Sequence, residues 1–275
     1  MSVITISERV SKQSLACFDR ALASDRRMKL NQEVQRLLSL IDAPEDYIHA
    51  FSCPWKVCLK DHTGLLVRSL RRGDEVYLEE FGGQLSQLSR ELFAPYPWAH
   101  RESARDAFRS AIDRSINGTD SAYLMFFKGK PIAHFVLWGT SSIREFGGSI
   151  LNIPTLGVAV ADTMQGKGVG RRCVRFLQLV AHKFRSDAVE LTTAKKNTRA
   201  ANLYLSCEFQ EIGVLRIPLG VDPSMVPSDF KNVYSWRDER HMTYVLNKKR
   251  SHIVRKYLLW KEQEYASEPV SAAVA

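Results

Sequence analysis

No run of apolar residues in this sequence approaches the ~18 that a membrane-spanning helix needs. The N-terminus also lacks the basic stretch and apolar core of a secretory leader. Neither a span nor export is expected, and the expected compartment is the cytoplasm. Cysteine is sparse: Cys17, Cys53, Cys58, Cys173 and Cys207 are odd in number and scattered. Cys53 and Cys58 lie close together, but no second cysteine or histidine pair completes a zinc-site spacing. A disulfide framework and a structural metal are therefore excluded, and reduced, structural thiols are expected.

What remains is an ordinary globular composition, 45% hydrophobic and 25% charged, so 275 residues suit one large domain or a domain with extensions. The net charge of +9 fits a polyanionic cofactor, and it equally fits an acidic partner such as RNA, a ribosome or a membrane surface. Charge alone does not choose among them.

The most informative stretch is Leu156 to Arg172, LGVAVADTMQGKGVGRR. Leu156 to Ala161 is short, apolar and valine-rich, a buried strand by pattern. From Arg171 onward Val174, Phe176, Leu177 and Val180 recur at helical spacing. Between them Gln165, Gly166, Lys167, Gly168, Val169 and Gly170 form a turn so poor in side chains that backbone N–H groups can approach an anion from a helix N-terminus. Lys167, Arg171 and Arg172 add positive charge. Gly170 is followed by Arg171 and not by Lys-Ser/Thr, so nothing is placed to hold the magnesium of a P-loop. A dinucleotide fold wants an acid about 20 residues further on, and Glu190 falls near that distance, so spacing does not exclude it.

The Gln-x-x-Gly-x-Gly form after a strand ending Val-x-Val resembles the pyrophosphate loop of the GNAT N-acyltransferases. A second segment in the right order, Asn197-Thr-Arg-Ala-Ala-Asn-Leu-Tyr204 followed by Phe209, resembles the other half of that family's signature. The resemblance covers about Leu65 to Asn247. It implies an α/β fold with a central mixed, mostly antiparallel sheet flanked by helices, and acetyl-coenzyme A as cofactor. It implies transfer of the acetyl group to a primary amine, on a small molecule or a protein, by direct attack in a ternary complex. Gln165, Gly166, Lys167, Gly168, Val169, Gly170 and Arg171 would take the pyrophosphate. Val158 and Val160 would offer backbone groups to the pantetheine arm where their strand splays from its neighbour. Asn197 would touch the cofactor or an ordered water, and it would also serve as a helix N-cap. Tyr204 matches the family's general acid, and it equally reads as a core tyrosine on a short amphipathic helix.

The general base is not fixed by the motif. Some relatives carry a glutamate five residues before the asparagine, where this chain has Thr192. Glu190, His134 and Glu239 are the candidates, alongside a chain of waters. A lone histidine in an apolar strand is more often a core residue than a catalyst. Cys207-Glu208-Phe209 also departs from the family's Gly-Phe, and a reshaped turn is expected because glutamate at positive φ costs about 1 kcal/mol.

Residues 1–62 read as a helical N-terminal extension (Ser7 to Leu22 and Asp25 to Ile41), with Tyr47 to Leu59 a packed loop or short strand. This extension suits a layer packed on the main domain, a contact in a homodimer or a cap over the substrate. Residues 63–247 form the transferase-like domain. Within it a strand and turn start at Leu65, helices run from Gln84 to Phe93 and Glu102 to Ile116, and the prolines of Phe93-Ala-Pro-Tyr-Pro-Trp98 forbid helix between them. Ala122 to Phe127 and Pro131 to Trp138 form a hairpin, Thr140 to Gly148 a polar loop, and Phe209 to Leu219 and Glu239 to Leu246 the last strands. The long Pro218 to Arg237 connection places Asp238 or Glu239 near an acceptor ammonium or merely starts a solvated strand. Residues 248–275 are a basic helix and a frayed tail. Two other functions remain open on sequence: a sensory module that binds an acyl-coenzyme A without turnover, and an RNA- or ribosome-associated protein that uses the basic tail.

Overall fold

A glycine-containing turn, a bulge or a change of hydrophobic period marks almost every boundary in the sheet. A computed structural model describes residues 55–59, 64–98, 101–218 and 236–267; most of the expected N-terminal extension, the connection 219–235 and the last residues of the tail lie outside them. Among the described residues eight strands form one sheet. In chain order they are β1 (Trp55–Cys58), β2 (Gly64–Ser69), β3 (Ser121–Phe127), β4 (Lys130–Trp138), β7 (Thr155–Val160), β8 (Ala188–Ala194), β9 (Gln210–Pro218) and β10 (Trp236–Val245). Their spatial order is β1-β2-β3-β4-β7-β8-β10-β9, and every neighbouring pair is antiparallel except β7 with β8. β1 is the short-strand alternative for Tyr47 to Leu59, so the sheet begins N-terminal of residue 63.

The β3–β4 hairpin turns on Lys128 and Gly129, both at positive φ (49° and 81°), the primed geometry that matches strand twist. The expected loop 140–148 instead contains β5 (Arg144–Phe146), which turns on Gly147 and Gly148, again both at positive φ, into β6 (Ser149–Leu151).

Helices cover both faces. An unexpected helix, α1 (Glu75–Gly83), precedes the expected helix Gln84 to Phe93, which is α2 (Gln87–Leu92) and starts at the Ser86 cap, whose side chain accepts from Ser89 N. Gly82 ends α1 against the Trp98 ring, where a Cβ would lie 2.7 Å from an aromatic carbon. α3 (Arg101–Ile116) joins α1 over β3 and β4 through Leu78, Phe108, Ile112, Leu124 and Val136. The opposite face carries α4 (Val169–Lys183) and α5 (Thr198–Ser206), whose Cys173, Val174, Phe176, Leu177, Val180 and Tyr204 fill the main core with Val189, Leu191 and Met242. The C-terminal α6 (Ser251–Ser267) docks Val254, Tyr257 and Leu258 against Leu151, Ile153 and Ala188. Glu190 alternates with Val189 and Leu191, so it points away from α4 and toward α6.

The turn after α5 keeps the family's left-handed geometry and is not reshaped. Glu208 itself takes φ 71°, with Phe209 N donating to Tyr204 O and Glu208 N to Leu205 O, the two bonds of a Schellman cap. Arg175 holds the Glu208 carboxylate at 3.0 Å, but that carboxylate is mostly solvated and the pair offsets little. Glu208→Gly is therefore expected to raise stability by about 0.5–1 kcal/mol, read as a higher urea midpoint at unchanged slope.

Candidate functional site

β7 and β8 meet at a single register pair, Thr155 with Glu190, where Glu190 N donates to Pro154 O at 3.1 Å. Beyond that point the two strands part, although both continue, to Val160 and Ala194. On its other side β7 stays paired with β4, and Ala161 N donates to Ile132 O at 2.9 Å. Because hydrogen-bonding direction alternates along an antiparallel strand, Ala161, Ala159 and Gly157 face β4. Val158 and Val160 then turn their N–H and C=O toward the gap. The sheet thus has an open slot lined by backbone polar groups on the β7 side.

The glycine turn sits at the wide end of the slot. Gly166 and Gly168 have φ of 77° and 85°, a region only glycine enters without strain, and Gly168 is the N-cap of α4. Gly170 has a different duty: a Cβ there would lie 3.1 Å from Leu203 Cδ2, so its absence lets α5 approach α4. The first backbone bond into α4 runs from Arg172 N to Gly168 O, so the N–H groups of Val169 and Gly170 precede the helix ladder and lie at its positive end. Lys167 and Arg171 lie in and beside this turn.

Gln165 occupies the position expected for cofactor binding, but its side chain holds the loop together. Its Nε2 donates to Val160 O (3.2 Å) and Asp162 Oδ1 (2.9 Å), and its Oε1 accepts from Arg199 at 2.6 Å. Asp162 in turn accepts from Ser86 N (2.9 Å) and Ser89 Oγ (2.6 Å). Burial would raise the Asp162 carboxyl, yet the Ser89 and Ser86 hydrogen bonds and Arg199 leave it below its usual value. One buttress therefore ties β7, α2, α5 and the glycine turn. Asn197 caps α5, its Oδ1 accepting from Ala200 N at 3.1 Å.

Tyr204 is buried on α5 beside the Phe209 ring, and burial first, then Cys207, Glu239 and Cys173, raises its phenol far above the ordinary value. It therefore stays protonated as a hydrogen-bond donor. Burial likewise pushes up the thiol of Cys173, which is not a thiolate nucleophile.

The three candidate bases are each engaged elsewhere. His134 is fully buried, its Nδ1 faces the Tyr123 carbonyl at 3.0 Å, and its Nε2 meets Tyr96 Oη at 2.8 Å. A carbonyl only accepts, so Nδ1 carries the proton and Nε2 takes the tyrosine's. Burial lowers His134 to about 4, the wrong direction for a base working near neutrality. Glu190 accepts from Lys261 at 2.8 Å, and its other oxygen lies 3.1 Å from His241 Nε2. Burial opposes ionisation there, but Lys261 and His241 overcome it and hold the carboxyl well below its usual range. Glu239 is buried and paired with Arg237, whose Nε donates at 2.7 Å.

Several residues of this region escaped the motif analysis. His241 joins Glu190 to Glu262 of α6, with Nδ1 3.0 Å from Glu262 Oε1. A Cβ on Gly213 would collide with the Glu262 carboxylate, and a bulge in β9 lies beside the Gly213–His241 pair. Gly157 packs directly under the Trp138 ring, with Phe93 at 3.2 Å from where its Cβ would be. A glycine inside an otherwise apolar strand is the signal that finds such a site.

Residues 85–209 match the model of the Acetyltransferase (GNAT) family. No curated protein matches the sequence. Solved structures of similar fold include the ribosomal-protein-S5-alanine acetyltransferase of Vibrio fischeri, at 14% identity over 67% of this chain and 94% of that one, TM-score 0.50. Mycobacterium smegmatis RimJ in complex with CoA-disulfide is 15% identical over 74% and 94%, TM-score 0.52. The spermidine N-acetyltransferase of Vibrio cholerae, in complex with CoA and spermine, is 18% identical over 67% and 96%, TM-score 0.50. Identities this low speak to the fold alone.

The buried His134 links stability to pH. Its folded value of about 4 lies below the ordinary 6.5, so the unfolded chain binds the extra proton and stability is full above pH 6.5. Between pH 6.5 and about 4 roughly 3 kcal/mol is expected to be lost at this residue. Denaturation curves across that window should show this slope in the native chain and a shallower one in His134→Gln; the difference separates His134 from His182, which burial also depresses.

Proposed function

We propose, from the match of residues 85–209 to the acetyltransferase (GNAT) family model, that the chain transfers an acetyl group from acetyl-coenzyme A to a primary amine by direct attack in a ternary complex. The observation that carries this reading is the slot: a strand pair joined at Thr155 and Glu190 only, ending at a glycine turn that opens a helix. Its dimensions of polarity fit the cofactor. Backbone N–H groups of Val169 and Gly170 at the α4 N-terminus, with Lys167 and Arg171 alongside, suit a pyrophosphate. The outward N–H and C=O groups of Val158 and Val160 suit the amides of a pantetheine arm, and Asn197 shapes the α5 start nearby. When bound, acetyl-coenzyme A supplies the activated thioester.

The chain's own residues do the rest. A backbone N–H on the β7 side of the slot offers a hydrogen bond to the oxyanion that forms when the amine adds to the thioester carbonyl. With acetyl-coenzyme A bound, Tyr204, kept protonated by burial, would give its proton to the departing sulfur as the C–S bond breaks, and the proton lost by the attacking nitrogen would return through water to restore the phenol. Glu190, His134 and Glu239 are all committed to other partners, so the ammonium of the acceptor loses its proton to water. The site contains no group of His, Cys, Asp and Glu able to hold a metal among the described residues. No described helix is long and apolar enough to cross a membrane.

The test is release of free thiol from acetyl-coenzyme A by a panel of amines, with cofactor affinity measured by calorimetry on the same sample. Tyr204→Phe is expected to lower kcat about 10- to 100-fold while leaving the Kd for acetyl-coenzyme A within about threefold. Unchanged turnover in this variant would remove Tyr204 from the chemistry, and absence of cofactor binding by the native chain would refute the transferase reading as a whole.

A further inference from the structure

The Gly157 side of the slot carries an aromatic wall, and the carboxylates of Glu190 and Glu239 on β8 and β10 are both paired. Gly157, in the middle of the splayed strand, has its Cα against Trp138, and the Trp138 and Phe93 rings stack at 6.5 Å with 25° between their planes. Both rings are half-buried, so each keeps a surface open to solvent or to a ligand. The wall is rigid. Trp138 is fixed by its β4 register opposite Thr155, where the slot closes, and the Phe93 carbonyl accepts from Trp98 Nε1 at 2.8 Å. Trp98 itself packs on Tyr96 and Phe108, and Tyr96 is pinned by His134. The opposite face of the sheet is filled by the α4 and α5 core, so an acceptor reaches the thioester from the side of Gly157.

Charge on that side is already neutralised. Glu190 is paired with Lys261 and faces His241, Glu262 faces the other nitrogen of His241, and Glu239 is paired with Arg237. Arg144 lies a further 4.0 Å from Glu190. At the rim, the exposed Glu91 receives Gln87 Nε2, while its backbone carbonyl receives Arg237. A polyamine carries several ammonium groups and needs several carboxylates free to meet them; Glu190, Glu239 and Glu262 are each held by another group.

We propose that Phe93 and Trp138 form the wall on which the acceptor's substituent rests, so that the acceptor is a monoamine bearing an apolar or aromatic group beside its amino carbon and not a polycation. This rests on the transferase reading above. The wall selects by contact with the flat, apolar face of a substituent, and the engagement of Glu190, Glu239 and Glu262 withholds from a second ammonium the compensation it requires. Trp138 and Phe93 act here as specificity residues, distinct from the groups assigned to the acetyl transfer.

The experiment compares phenylalaninamide, alaninamide and spermidine as acceptors for the full chain at saturating acetyl-coenzyme A, with thiol release as the readout. The expected order of kcat/KM is phenylalaninamide, then alaninamide, then spermidine, with at least tenfold between first and last. Trp138→Ala and, independently, Phe93→Ala are expected to raise KM for phenylalaninamide roughly tenfold and to change KM for alaninamide less than threefold, and Trp138→Phe restores most of the loss. Calorimetry with acetyl-coenzyme A on each variant reports folding and separates the two claims, since loss of cofactor binding by the native chain would indict the transferase reading itself. With the cofactor bound, spermidine as the best acceptor, no turnover of either amide, or unchanged KM in both alanine variants would overturn the aromatic wall.

Discussion

Everything in this molecule depends on two parallel strands that start together and do not stay together. A buried N–H or C=O without a partner costs about 1–3 kcal/mol, so a sheet does not leave its own centre unpaired without compensation. Here β7 keeps its bonds to β4 on one side and leaves the other edge of Val158 and Val160 for something else. One of those groups is satisfied locally, because Gln165 Nε2 reaches Val160 O. In the proposed reading the remainder meet an extended ligand that carries amides at intervals and ends in an anion at the glycine turn. The Gln165–Asp162–Arg199 buttress holds slot and turn in register.

The closed end of the slot is held by charge. Glu190, His241, Glu262 and Lys261 form a buried cluster contributed by β8, β10 and α6, with Thr155 of β7 3.4 Å from the Glu190 carboxylate. A buried pair gains little net stability over a well-packed apolar core, yet removing one partner is severe because the other charge is then stranded. The cluster therefore acts as a lock on geometry more than as a source of stability. It fixes where β7 and β8 part, and it makes α6, which lies beyond the residues of the family match, a structural part of the slot. Gly213 belongs to the same device, since only a residue without a side chain leaves room for the Glu262 carboxylate beside β9.

Much of the fold was legible because local signals and tertiary structure agree. Leu156 to Ala161, the glycine turn and the helix after it, and the β3–β4 hairpin all stand where period and turn chemistry put them. The misses have physical reasons. α1 was missed because the stretch from Leu65 reads as a strand and a turn and the helix ends in Gly82-Gly83, while α2 starts later than the pattern from Gln84 because the Ser86 cap decides where the helix begins. The β5–β6 hairpin was read as a loop because its strands are three residues each, too short for periodicity, although Gly147-Gly148 marked the turn. Glu208 defied the expectation of a reshaped turn because the Schellman bonds fix the backbone whatever residue stands there. At the site the glycine turn that opens α4 was readable, being backbone conformation written in glycine. Glu190, His134 and Glu239 were readable only as residue types: their partners Lys261, Tyr96 and Arg237 decide their chemistry, and two of those lie 71 and 38 residues away.

Amide hydrogen exchange with and without acetyl-coenzyme A tests the slot most directly. The account requires the N–H groups of Val158 and Val160, together with those of Val169 and Gly170, to slow at least tenfold when the cofactor is present, while the β4-facing amides of Gly157 and Ala159 change little. Binding of the cofactor with no protection at Val158 and Val160 would contradict it, and would mean that the parting of β7 and β8 serves some end other than holding the thioester.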